Sequence, residues 1–123
     1  MKLRWPVSVP ALAAVALAAL LCAVAPALQG AAFAAERTFA ITIEKSTFDL
    51  DRIEVKAGEV FELKVTNNDK SFEEFESRSL VLEKFVRPGK TVSLRIGPLK
   101  PGEYEYFLDF HPQTGKGKIV VTP

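Results

Sequence analysis

Two short stretches bring potential ligands together in this chain: Glu73-Glu74-Phe75-Glu76 and Leu108-Asp109-Phe110-His111. Carboxylate oxygens and one imidazole nitrogen form a hard-to-borderline donor set. Such a set suits Cu(II), Zn(II), Fe or Mn, whereas Cu(I) prefers sulfur. His111 is the single histidine. Asp109 and His111 are two residues apart, as are Glu74 and Glu76, so on extended chain each pair projects to one side. If the two strand ends meet, Glu74, Glu76, Asp109 and His111 converge as the expected metal ligands, with Glu83 as a weaker fifth. The rival reading is a solvated acidic face in which Lys70, Arg78 and Lys84 are exposed charge partners worth at most ~1 kcal/mol each.

Soft and nucleophilic groups are scarce. The one Cys, the one Met and the one Trp all fall near the N-terminus, at Cys22, Met1 and Trp5. That end has the pattern of an export signal. Lys2 and Arg4 precede an almost wholly Ala, Val and Leu run from Ala11 to Leu28, and Ala32-Phe33-Ala34 offers a small-residue exit. Pro26, Gln29 and Gly30 interrupt the run before it makes an uninterrupted span. The expected organisation is a signal peptide over residues 1–35, cleaved to release a domain over residues 36–123 in the periplasm or outside the cell. Retention as an N-terminal anchor is the alternative.

The released part has room for one small domain. Losing Lys2 and Arg4 turns the whole-chain charge of +1 into about −1. No basic stripe remains, which argues against a nucleic-acid partner. A cation or a protein is the expected partner. Without Cys, packing alone must hold the domain. An enzyme is not expected either: the domain has no thiol nucleophile, and one His with no recognisable Ser or Asp relay is not a triad.

The elements that must position the ligands read as strands. Phe39, Ile41 and Ile43 alternate with Thr38, Ala40 and Thr42; Phe61, Leu63 and Val65 alternate with Glu62, Lys64 and Thr66. Val92, Leu94 and Ile96 repeat the pattern, and Lys118 to Thr122 is a last β-branched strand. Turn signals at Ala57-Gly58, Asn67-Asn68-Asp69, Pro88-Gly89, Pro101-Gly102 and Gly115 to Gly117 separate the strands. Short strands at this spacing predict an all-β sandwich. Phe39, Phe48, Phe61, Phe75 and Phe110, with Tyr104 and Tyr106, are the expected aromatic core.

The stretch from Glu103 to Val121 resembles the copper loop of cupredoxins. In that family a penultimate strand runs into C-x-x-H, then a Met, then Gly-Lys and a Val-rich final strand. Leu108 stands at the Cys place, Lys116 at the Met place, and His111 keeps the His. Phe48, Ile53 to Gly58, Glu74-Phe75-Glu76, Glu83-Lys84, Val86 to Gly89 and Leu99 to Tyr104 more closely resemble the cupredoxin-like domains of periplasmic iron-uptake systems. The resemblance implies a Greek-key β-sandwich, a Cu(II) or Fe cargo, and an inner-membrane iron permease or another periplasmic protein as partner. The loops before Glu73 and after His111 would then lie at one end of the sandwich. With the Cys and Met replaced, blue-copper electron transfer is not expected. The competing function is a sandwich that binds no metal and docks a permease or another secreted protein.

Overall fold

The computed structural model describes Lys2 and residues 35–123; the remainder of the expected signal peptide lies outside the described residues. Within 35–123 the chain forms nine strands and no helix. They are β1 (Arg37–Glu44), β2 (Thr47–Phe48), β3 (Arg52–Lys56), β4 (Phe61–Asn67), β5 (Glu73–Ser77), β6 (Leu82–Val86), β7 (Thr91–Ile96), β8 (Gly102–Leu108) and β9 (Lys116–Thr122). One sheet has the order β2-β1-β4-β7 and the other β3-β9-β8-β5-β6. The expected all-β sandwich is therefore present.

Because the chain crosses between sheets, β1 and β4 pair in parallel, as do β3 and β9, while the other pairings are antiparallel. The alternating patterns set which face is inside. Ile41, Ile43, Phe61, Leu63, Val65, Leu94 and Ile96 from the first sheet meet Ile53, Val55, Phe75, Val86, Tyr106, Leu108, Ile119 and Val121 from the second. Period-two strands can do this because successive side chains leave opposite faces.

The aromatic expectation holds for Phe48, Phe61, Phe75 and Tyr106, which are buried, and for Phe39 and Tyr104, which pack against the core half-buried. Phe48, Phe75 and Tyr106 touch one another, with ring centroids 5.2 to 6.0 Å apart. Burial leaves the Tyr106 phenol a polar tip to satisfy, and it donates to the Leu50 carbonyl at 2.7 Å. The same burial raises its pKa. Phe110 departs from the expectation. It is half exposed, because β8 ends at Leu108 and the turn that follows swings residue 110 outward.

At one end of the sandwich three connections are tied together by polar groups. Lys45 and Ser46, the β1–β2 turn, both adopt left-handed backbone with φ of 54° and 56°. Their amides donate to the two carboxylate oxygens of Asp69 at 2.7 and 2.8 Å. Asp69 is itself held by its amide, which donates to Asn67 Oδ1 at 2.9 Å. Asn67, fully buried, spends its side-chain amide on the carbonyls of Ser71 and Val86. The Asn67-Asn68-Asp69 turn signal is thus a brace for two loops. The third loop joins through Thr114, whose hydroxyl donates to the Ser46 carbonyl at 2.6 Å.

Candidate functional site

On β5, Phe75 must face the core, and period two then sends Glu73 and Ser77 inward beside it and Glu74 and Glu76 outward. Glu73 is fully buried. On the other strand end, Asp109 and His111 do not share a side. The strand has already ended, and a tight turn forms in which the His111 amide donates to the Leu108 carbonyl and the Gly115 amide to the His111 carbonyl. This turn brings the imidazole back to Glu73.

The expected set of Glu74, Glu76, Asp109 and His111 is accordingly not gathered at one point. Among the described residues no group of three or more His, Cys, Asp and Glu side chains stands close enough together to hold a metal ion. Glu74 and Glu76 lie half-buried on the outer face of β5, and exposed Asp109 lies next to Glu74, its amide donating to the Glu74 carbonyl at 2.9 Å. Glu76 faces Glu83 across the β5–β6 pair and meets Arg78 at 3.4 Å. Burial, reinforced by the charges of Asp109, Glu83 and Glu76, pushes the Glu74 carboxyl above its ordinary value. The rival reading of a solvated acidic face does not hold for the neighbouring Glu73, because the parity that buries Phe75 also points Glu73 inward.

His111 Nδ1 stands 2.8 Å from Glu73 Oε1. The separation is that of a hydrogen bond, but the ring N–H is not aligned on the oxygen, and both Nδ1 and Glu73 Oε2 are buried with no hydrogen-bond partner. Among the described residues, the only other polar side chain reaching this carboxylate is Ser46, whose hydroxyl is 3.5 Å from Oε1. A fully buried carboxylate with an unpaired oxygen is costly unless something else satisfies it. The imidazole is open on its other side, with 42% of its side chain exposed.

Leu108 is the third element of the site. It is fully buried, and Gly115 lies directly over it. A Cβ at 115 would overlap the Leu108 side chain, so the branched hydrocarbon fills the space beneath the loop. Lys116, the first residue of β9, is exposed on the rim.

The sequence profile of the cupredoxin-like domain matches residues 11–121. The chain belongs to the cupredoxin-like domain family. Its curated relative in Rickettsia prowazekii (strain Madrid E), described as an uncharacterized protein, is 42% identical over 81 residues, which are 66% of this chain and 65% of that one. The chain thus spans under two thirds of that relative's length. Among solved structures, auracyanin A, a blue copper protein from Chloroflexus aurantiacus, aligns with 69% of this chain and 98% of its own at a TM-score of 0.60 and 18% identity. The metal-binding domain of the Streptococcus pneumoniae Cu(I)-exporting P-type ATPase CopA, solved with Cu(I), aligns at 0.61 and 17%, covering 70% of this chain and 85% of that one. These likenesses show the cupredoxin-like fold.

A resident blue-copper centre does not fit this member of the family. The described residues include no Cys or Met, and a thiolate is the donor on which that chemistry rests; Leu108, which the resemblance sets at the Cys place, is a hydrocarbon packed against Gly115. What this cupredoxin-like chain offers in its place is one buried carboxylate and one half-exposed imidazole.

Proposed function

We propose that this protein is an exported, non-enzymatic cupredoxin-like accessory that carries Cu(II) or Fe in periplasmic iron or copper handling, taking the cation as cargo at Glu73 and His111. The supporting observation is the unsatisfied pair itself, Glu73 Oε2 and His111 Nδ1, both buried without a partner on side chains that meet at 2.8 Å through Oε1. Two ligands at about 2.0–2.2 Å from one ion and at right angles to each other are about 3 Å apart. The 2.8 Å between Nδ1 and Oε1 is close to that bite. A cation there satisfies both groups at once, and the oxygen and nitrogen donors favour Cu(II), Zn(II) or Fe over Cu(I).

Two protein side chains and an open imidazole edge make a site of modest affinity, filled out by water and able to release its ion. That behaviour suits handing a cation on, and Leu108 leaves no thiolate for electron transfer. The charged start and apolar run of the N-terminal segment support export, and the resemblance to iron-uptake domains supports an iron permease as the recipient.

Titrating Cu(II), Zn(II) and Fe(III) into the parent protein, Glu73→Gln and His111→Ala tests the reading. One equivalent is expected to bind the parent, and each variant is expected to lose at least tenfold in affinity. Indistinguishable titrations of the three proteins would remove the site.

A further inference from the structure

The outer face of β5 and its neighbours carries two aromatic positions set among carboxylates. At the first, Phe107 of β8 lies opposite Glu76 in the β5–β8 register. The Arg78 guanidinium sits 5.1 Å from the Phe107 ring centroid and 3.4 Å from Glu76. The chain therefore supplies its own cation there, shared between a ring face and a carboxylate.

The second position is built alike, but among the described residues no cation lies over its rings. Phe85 of β6 is opposite Glu74 in the β5–β6 register, and its ring is 6.4 Å from that of Phe110. Both rings are exposed, at 60% and 50%. Asp109 adjoins Glu74, its amide donating to the Glu74 carbonyl at 2.9 Å, and Glu83 lies two residues before Phe85 on β6, opposite Glu76. Among the described residues, Glu74, Glu83 and Asp109 form no ion pair. Exposed paired aromatics beside uncompensated carboxylates are unfavourable in the free protein, since like charges repel and apolar surface faces water.

We infer that the Phe85–Phe110 pair with its rim of Glu74, Glu83 and Asp109 is a docking surface for a basic protein partner, which inserts an arginine or lysine over the rings as Arg78 does over Phe107. Charge complementarity selects this occupant: a second copy of the chain would bring the same carboxylates against these, and an anionic lipid surface would be repelled by them. The surface lies on the opposite face of β5 from Glu73, so it stands whether or not a cation binds at Glu73 and His111.

The test uses the purified protein and a synthetic peptide alternating Arg and Leu, followed by calorimetry and by amide shifts in NMR. Binding is expected at low salt, weakening as salt rises, with shifts centred on Glu74, Phe85 and Phe110. Phe85→Ser with Phe110→Ser, at exposed positions, is expected to weaken it about tenfold, and Glu74→Gln with Asp109→Asn to do the same and flatten the salt dependence. A peptide with Glu in place of Arg is expected not to bind. The inference is overturned if the Arg-Leu peptide does not bind, if it binds parent and variants equally, if parent mass rises with concentration in a way the Phe double variant abolishes, or if the Phe pair instead drives binding to phosphatidylglycerol vesicles.

Discussion

Gly115 lies against Leu108 so closely that the leucine side chain occupies the place where any larger residue at 115 would put its Cβ. The loop bearing His111 is closed by this contact and by the Leu108 amide, which donates to the Gly115 carbonyl at 2.8 Å. Replacing Gly115 with Ala forces one of two buried groups to move and is expected to destabilise the fold by about 1–3 kcal/mol. Urea denaturation measures it. In a Leu108→Ala background the same glycine substitution is expected to be much less harmful, because the obstructing atoms are gone.

Asp69 links the Asn67 turn to the β1–β2 turn by accepting both backbone amides of the left-handed Lys45–Ser46 pair. Asp69→Ala leaves those amides to water and removes the brace, with an expected loss of about 1.5–3 kcal/mol, the range for hydrogen bonds to a charged group. Hydrogen exchange at Lys45 and Ser46 is expected to accelerate by more than the global loss of stability accounts for.

Glu73 is a buried carboxylate beside a misaligned imidazole, and a fold chosen for stability alone would place a hydrocarbon there. Glu73→Leu is expected to hold or raise the stability of the metal-free protein, since replacing a poorly satisfied buried polar group by an apolar one of similar size is neutral or favourable. It is also expected to abolish cation uptake. Thermal melts with and without Cu(II) report both, the parent alone rising with added ion.

The pH dependence of stability separates two kinds of carboxylate. Burial and the neighbouring charges of Asp109, Glu83 and Glu76 raise Glu74 above its reference value of 4.5, so from 4.5 up to its folded value the native state binds more protons than the unfolded chain. Stability therefore falls as pH rises through that window. Glu74→Gln is expected to be more stable than the parent at neutral pH, with the gap closing as pH falls to 4.5. Glu36 and Glu59 are lowered by hydrogen bonds from Arg95 and Arg37, so their contribution is present above 4.5 and is lost as pH falls through their folded values. Denaturation midpoints of parent and Glu74→Gln across pH 3 to 7 follow both.

The strand patterns and turn residues alone determined the sandwich. Alternation in Phe39–Ile43, Phe61–Val65 and Val92–Ile96 is a local property, and each strand's inner face follows from it without knowledge of its neighbours. The same alternation applied from Phe75 determined that Glu73 faces inward, a signal present in the sequence though masked by the acidic run around it. The absence of Cys from residues 36–123 likewise argued against a thiolate centre there before any fold was known. Tertiary structure alone decided that β8 stops at Leu108, so that Asp109 and His111 part company and Phe110 is released to the surface beside Phe85. It also decided that Leu108 fills the space beneath Gly115 and that the imidazole meets Glu73. Those outcomes depend on where the chain turns and on which side chains from distant strands compete for one volume, and neither is a property of a local run of residues.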